Sequence, residues 1–320
     1  MDKRKLIVTQ KLDEKLIKSI EEIVPEWELI VGKEQSIWQE HLKDAEIIAG
    51  WKKDIAQYAL TDGSKLRWVQ SWSAGINSMP LNEFNSRNIL LTSANGVHSY
   101  PISETIFALM LALTRKIHRY VKNQQIKKWH HSGLRLELHG KTMGLFGVGA
   151  IGKETAKIAK AFGMNVLGFR KSGQPEEYVD RMYTLDQMNE ILPECDYIVV
   201  TLPLTNETKH LFGKEQFNKM KSTSFFINIG RGDIVVESDL VEALEAEKIA
   251  GAGLDVFEKE PLGDNSPLWD FENVIITPHT AGSTEYYDNR VIEDIFIPNL
   301  KSYLKEEKLP INLVDYLKGY

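Results

Sequence analysis

Glycines at positions 147, 149 and 152 stand in the order Gly-x-Gly-x-x-Gly between an apolar run, KTMGLFG, and a helix-like segment, KETAKIAKAFG. That strand-turn-helix setting suits the pyrophosphate of a dinucleotide. Gly147 permits the tight turn, Gly149 lets the backbone approach a phosphate, and Gly152 lets helix and strand pack closely. The amides that open the helix then face the anion. About 20 residues past such a turn an acid normally meets the adenosine ribose diol. Here the chain has Arg170-Lys171-Ser172 and no Asp or Glu. Two cations and a hydroxyl favour a 2′-phosphate, so NADP(H) is expected ahead of NAD, which stays possible.

Three more segments carry polar groups just past apolar runs. They are Asn228-Ile229-Gly230-Arg231-Gly232, the stretch from Leu254 and Asp255 to Glu260-Pro261-Leu262, and Thr277-Pro278-His279-Thr280-Ala281-Gly282. Taken singly, Arg231 is a surface charge, Glu260 a loop acid before proline and His279 a turn histidine. Their order behind a dinucleotide turn gives them another reading, because a doubly wound sheet binds ligands at its strand ends.

To hold those groups the chain must build repeated β-α-β units. KLIVTQ, WELIVG, AEIIAGW, LRWVQSW and NILLTSAN alternate with helical stretches in the first hundred residues. A second series runs through KTMGLFG, MNVLGFR, DYIVVTL, TSFFINI, IAGAGLD and NVIITPH. The fold class is therefore α/β, with two doubly wound parallel sheets. One long helix is expected from about Pro101 to Gln125, with Ile106 to Leu113 apolar all round and so buried between domains or subunits. Another is expected from Ser283 to about Glu306, returning to the first domain. The expected domains are residues 1–99 with 286–320, and 100–285.

Composition bounds the partners. With 320 residues, 42% hydrophobic and 26% charged, the chain buries a sizeable core and has room for two domains. A balance of 39 Lys and Arg against 45 Asp and Glu leaves a net charge of −6, which gives no general attraction to nucleic acid or an anionic membrane. The apolar stretch Ile106 to Leu113 is far shorter than the roughly 20 residues that cross a bilayer. Neither a signal-peptide core nor a cleavage site follows Met1. The single cysteine, Cys195, excludes an internal disulfide and reads as structural, in keeping with a reducing cytoplasm. His130-His131 has no metal-ligand spacing, and no metal is expected.

The runs GLFGVGAIG, DYIVVTLPLTNETKHLF, MKSTSFFINIGRGDIV, AGAGLDVFEKEPL and VIITPHTAG, in this order, resemble the signatures of the D-isomer-specific 2-hydroxyacid dehydrogenase family. The resemblance covers nearly the whole chain and is densest from Gly140 to Gly282. It implies a Rossmann nucleotide-binding domain inserted into a flavodoxin-like substrate-binding domain, and reduction of a small 2-keto acid such as glyoxylate or hydroxypyruvate by NADPH. The family's catalytic Arg, Glu and His fall on Arg231, Glu260 and His279. A guanidinium fork grips the substrate carboxylate beside the ketone. Protonated His279 supplies the proton that the carbonyl oxygen needs, and a neighbouring Glu260 favours the charged ring and fixes its orientation.

The resemblance further implies nucleotide contacts at Ala150, Ile151, Leu202, Pro203, Thr208, Ile229, Gly230, Arg231, Asp255, His279 and Gly282, with Asp255 accepting from the nicotinamide carboxamide. It implies backbone amides of Ser73, Ala74 and Gly75 on the substrate carboxylate, forming an anion nest. Trp51 would shape the pocket, and Asn77 stands where many members carry Asp. A homodimer is expected from the family's habit. Because the family also contains transcriptional corepressors, a nicotinamide-sensing interaction protein on the same scaffold is the alternative.

Overall fold

A computed structural model describes residues 3–316 apart from Asn77 and Ser132, so the Asn77 position lies outside the described residues. The chain divides into two compact units, Met1–Val97 with Thr284–Tyr320, and His98–Ser283.

The first unit holds strands β1 (Lys5–Val8), β2 (Glu28–Val31), β3 (Ala45–Ala49), β4 (Trp68–Gln70) and β5 (Leu90–Thr92). They form one parallel sheet in the order β2-β1-β3-β4-β5, the flavodoxin-like arrangement. Strands covered on both faces read as unbroken apolar runs, and Leu6, Ile7, Val8, Ile47 and Ile48 are fully buried. Leu16 and Ile20, four apart on the helix Glu14–Glu21, close one face. Ile292, Phe296 and Leu300 join the same cluster, where Phe296 stacks on Trp68 with ring centroids 5.0 Å apart. The C-terminal helical segment therefore belongs to this unit. It starts at Tyr287 rather than Ser283, and between Arg290 and Phe296 it widens into π-helical turns before Ile297–Leu304.

The second unit holds β6 (Thr142–Phe146), β7 (Asn165–Phe169), β8 (Arg181–Tyr183), β9 (Tyr197–Val200), β10 (Phe225–Asn228), β11 (Gly251–Leu254) and β12 (Val274–Ile276). All are parallel, in the order β12-β11-β10-β9-β6-β7-β8. This is a Rossmann sheet, and its strand order reverses between β6 and β9. The glycine turn follows β6, at the switch point where such sheets bind ligands.

The expected helix from Pro101 to Gln125 is two helices, Ser99–Thr114 and Ile117–Gln125. They part at Lys116, which takes the left-handed conformation with φ 56°. The first helix packs on the helix Ala150–Ala161 and on β10 to β12, so its apolar surface is covered inside its own unit. The second leaves Ile117 and Val121 half exposed, and Ile126 and Trp129 beyond it are exposed. Among the described residues no helix is long and apolar enough to cross a membrane.

Candidate active site

The turn after β6 is rigid beneath and open above. Gly147 has φ 109°, and a Cβ there would lie 2.7 Å from Thr201 Oγ1 and 2.9 Å from Leu202 N. A Cβ on Gly152 would lie 2.1 Å from Gly147 O. A Cβ on Gly149 would meet nothing within 4 Å, so open space stands over the turn. The first amides of the helix Ala150–Ala161 have no carbonyl of their own helix to bond, and their dipole favours an anion. These residues fit a dinucleotide pyrophosphate. Alongside, Leu202 and Ile229 are buried and Pro203 is exposed. A Cβ on Gly230 would lie 2.7 Å from Leu202 O, which brings the turns after β9 and β10 together. Thr208 is buried, and its hydroxyl donates to Pro203 O at 2.7 Å and accepts from Thr205 N at 2.8 Å, so it secures that turn.

Past β7 the expectation of cations free of any carboxylate is corrected. Arg170 donates from Nε and Nη2 to Gln174 O at 2.9 and 2.7 Å, from Nη2 to Pro175 O at 2.8 Å and from Nη1 to Val148 O at 3.4 Å. Its Nη1 also donates to Glu176 Oε2 at 3.2 Å, and Lys153 Nζ lies 2.8 Å from the same oxygen. Hydrogen bonds from Lys153 first and then Arg170 hold the Glu176 carboxyl below the usual carboxylate range. Lys171 Nζ donates to Glu207 Oε1 at 2.7 Å, and Ser172 Oγ accepts from Gln174 N at 3.4 Å. Glu176 sits in the loop after the cations and Glu207 lies two strands further on, past β9, so only the folded chain brings them to Arg170 and Lys171.

The ends of β10, β11 and β12 bring Arg231, Glu260 and His279 together. A Cβ on Gly232 would lie 1.9 Å from the carbonyl of Phe257, so only glycine allows the Arg231 turn to press against the Glu260 loop. Asn228, buried at the end of β10, holds this turn by donating to Arg231 O at 3.1 Å and accepting from Gly230 N at 3.1 Å. Arg231 itself is exposed, with Nη1 donating to Gly230 O at 2.6 Å. Glu237 and Glu258 brace the neighbouring loop by each accepting from the other's amide, at 3.2 and 2.9 Å. Asn228 and Glu237 carry no signal in the sequence that separates them from other polar residues near strand ends.

Glu260 Oε1 accepts from Phe257 N at 3.1 Å, and its Oε2 stands 2.7 Å from His279 Nδ1. Burial alone would push this carboxyl up. The His279 and Phe257 hydrogen bonds, with the charges of His279 and Arg231, outweigh it and hold the group below the usual range. His279 is half exposed and takes φ 53°. Its amide donates to Asp255 O at 2.9 Å. The Asp255 carboxylate, almost fully buried, accepts from Thr277 Oγ1 at 2.5 Å and Thr280 N at 3.0 Å on one oxygen and from Ala281 N at 3.0 Å on the other. The expected acceptor for a carboxamide is thus already bonded at both oxygens, and it shapes the His279 loop. Gly282 O closes that loop through His98 Nδ1 at 2.8 Å.

In the first unit, Trp51 is half buried and meets Phe84 edge-on at 4.8 Å. Ser73, Ala74 and Gly75 are exposed just past β4. Ser71 Oγ accepts from Ser73 N at 3.0 Å and donates to Ser73 O at 2.8 Å. The amides of Ala74 and Gly75 meet no acceptor among the described residues. Also among the described residues, no three His, Cys, Asp or Glu side chains gather as a metal ion requires.

Residues 107–281 match the family described as D-isomer specific 2-hydroxyacid dehydrogenase, NAD binding domain. The chain is 31% identical to a glyoxylate reductase of Korarchaeum cryptofilum over 98% of its own length and 96% of that protein. It is 35% identical to a D-3-phosphoglycerate dehydrogenase of Methanocaldococcus jannaschii over 88% of its own length, but spans only 54% of that relative. Among solved structures, an NADPH-dependent glyoxylate/hydroxypyruvate reductase from Sinorhizobium meliloti in complex with NADP and sulfate superposes with a TM-score of 0.77 at 27% identity, covering 99% of this chain and all of that one.

Proposed function

Since the chain belongs to the D-isomer-specific 2-hydroxyacid dehydrogenase family, we propose that it is an NADPH-dependent reductase of a small 2-keto acid of the glyoxylate or hydroxypyruvate class, yielding the D-2-hydroxy acid. The observation that carries this reading is His279 Nδ1 at 2.7 Å from Glu260 Oε2, on a loop apposed to the Arg231 turn. The names of the glyoxylate reductase relatives support the substrate class, and the NADP complex of a neighbour supports the nucleotide.

In this reading Gly147, Gly149, Ala150, Ile151 and Gly152 hold the pyrophosphate, Arg170, Lys171 and Ser172 meet the adenosine ribose and its 2′-phosphate, and Leu202, Pro203 and Thr208 frame the adenosine. Ile229, Gly230, Asp255 and Gly282 shape the nicotinamide end. The bound nicotinamide supplies the hydride. Arg231 grips the substrate carboxylate through its fork and draws charge from the ketone. With Nδ1 turned to Glu260, Nε2 of protonated His279 is the nitrogen left to give the carbonyl oxygen its proton, and neutral His279 takes it back in the reverse direction. The amides of Ala74 and Gly75 suit a carboxylate, whereas that of Ser73, expected to join them, is already held by Ser71 Oγ; Trp51 shapes the substrate's surroundings. The protein works as a homodimer in the cytoplasm, with Ile117, Val121, Ile126 and Trp129 as the apolar residues a second copy covers.

A panel of 2-keto acids, followed by nucleotide absorbance with NADPH and NADH in parallel, tests this. Glyoxylate- or hydroxypyruvate-dependent NADPH oxidation is expected, with kcat about 10²- to 10⁴-fold lower in His279→Ala. Tight nucleotide binding with no turnover on any keto acid would overturn the reading in favour of a nicotinamide-sensing interaction protein.

A further inference from the structure

Glu176 is the acid that the 2′-phosphate reading did not foresee. Its Oε2 is shared by two cations from different elements, Arg170 just past β7 at 3.2 Å and Lys153 in the first turn of the helix after Gly149 at 2.8 Å. Both belong to the wall where the adenosine ribose is proposed to lie, since Arg170 Nη1 reaches Val148 O in the glycine turn at 3.4 Å. The Glu176 side chain is 18% exposed and that of Arg170 22%, so the ion pair is mostly covered and is screened less than a surface pair. We propose that Glu176 is a built-in rival of the 2′-phosphate, occupying the Arg170 and Lys153 charges and setting how far the chain prefers NADP(H) to NAD(H).

Three features argue for this role over a merely structural one. The guanidinium does not need the carboxylate in order to stay in place, because the carbonyls of Gln174, Pro175 and Val148 already receive its N–H groups. Both cations reach the carboxylate at Oε2, and its Oε1 accepts no hydrogen bond among the described residues. A ribose 2′-hydroxyl can donate to that oxygen, as it does to the acid normally found past such a turn. A 2′-phosphate can only be repelled by it and must compete for the same two cations. The carboxylate is also held ionised below the usual range by those cations, so it opposes a phosphate at any pH where the enzyme works. One residue thus favours the hydroxyl form and penalises the phosphate form, against Arg170 and Lys153, which do the reverse.

This inference rests on the proposed site for the adenosine ribose, and its test separates the two. Equilibrium binding of adenosine 2′,5′-bisphosphate and of 5′-AMP is measured by calorimetry on the full chain, with no turnover required. In Glu176→Gln the bisphosphate tightens about tenfold or more while 5′-AMP binds equally or more weakly, and Glu176→Asp, which keeps the charge, stays near the unsubstituted ratio. The gain disappears when Arg170→Ala is combined with Glu176→Gln. A ratio unchanged by Glu176→Gln, or both ligands weakened alike, overturns the proposal. Equal binding of the two ligands by the unsubstituted chain counts against the NADP(H) preference alone, because the Glu176→Gln ratio is read independently of it.

Discussion

His279 spends one ring nitrogen on Glu260 and its main-chain amide on Asp255, and this division of labour makes the residue useful. A histidine free to spin in a loop presents either nitrogen to a substrate. One clamped at Nδ1 by an ionised carboxylate presents Nε2 alone. Glu260 must therefore keep its charge, and the cause of its low pKa predicts how to remove it. In the unsubstituted chain the Glu260 carboxyl, followed by carbon-13 NMR, titrates below the ordinary carboxylate value. In His279→Ala, which deletes the largest of the lowering interactions, its midpoint rises. A midpoint that stays put would show that Glu260 takes its charge from elsewhere. The sign for stability follows. A depressed carboxyl contributes stability above its unfolded pKa and loses it as pH falls through the folded value, so this clamp opens only on the acid side.

At the scale of elements, the strands were legible wherever both faces are covered, because Ile7, Ile47, Val199 and Ile227 are buried and their runs are apolar throughout. β8 was not legible. It is a three-residue edge strand of Arg181, Met182 and Tyr183, too short and too polar for any period. The break at Lys116 was equally hidden, since neither glycine nor proline marks it. That Arg231, Glu260 and His279 meet could be read from motif order, whereas the meeting of Glu176 with Arg170 and Lys153 could not, because it depends on a loop folding back onto a helix.

Another long-range meeting gathers at the N-terminal ends of β1 and β3 in the first sheet. Glu46 on β3 accepts from Arg4 Nε at 2.7 Å and from Arg4 Nη2, and from Tyr303 OH at 2.7 Å, while Arg4 lies 4.0 Å over the Trp27 ring. Burial pushes the Glu46 carboxyl up, but the bonds from Arg4 and Tyr303 prevail and hold it low. Glu46→Gln is expected to lower the melting temperature at neutral pH. The gap should narrow as pH falls through the folded pKa of Glu46, where the native carboxyl loses its charge too. A gap that is the same at pH 7 and in acid would refute an electrostatic role.

For the whole molecule, the exposed apolar side chains from Ile117 to Trp129 bear on assembly. On the helix Ile117–Gln125 the side chains of Ile117 and Val121, four apart, are half exposed, and Ile126 and Trp129 further along the chain are exposed. In the proposed homodimer these are the apolar side chains that a second copy covers. Sedimentation is expected to give twice the 36.5 kDa chain mass, and Val121→Asp with Trp129→Asp to bring it back to one. A double substitution that leaves the mass unchanged would place any interface elsewhere.

Cys195 has a practical consequence at the same scale. Its side chain is sealed between β6 and the end of a helical turn, with Sγ 3.5 Å from Ile191 O, and burial drives the thiol up to about 12. So little thiolate exists at neutral pH that maleimides and alkyl iodides find nothing to attack in the folded protein. A fluorophore or spin probe can therefore be attached through a cysteine introduced at any exposed position, with no need to delete the native one.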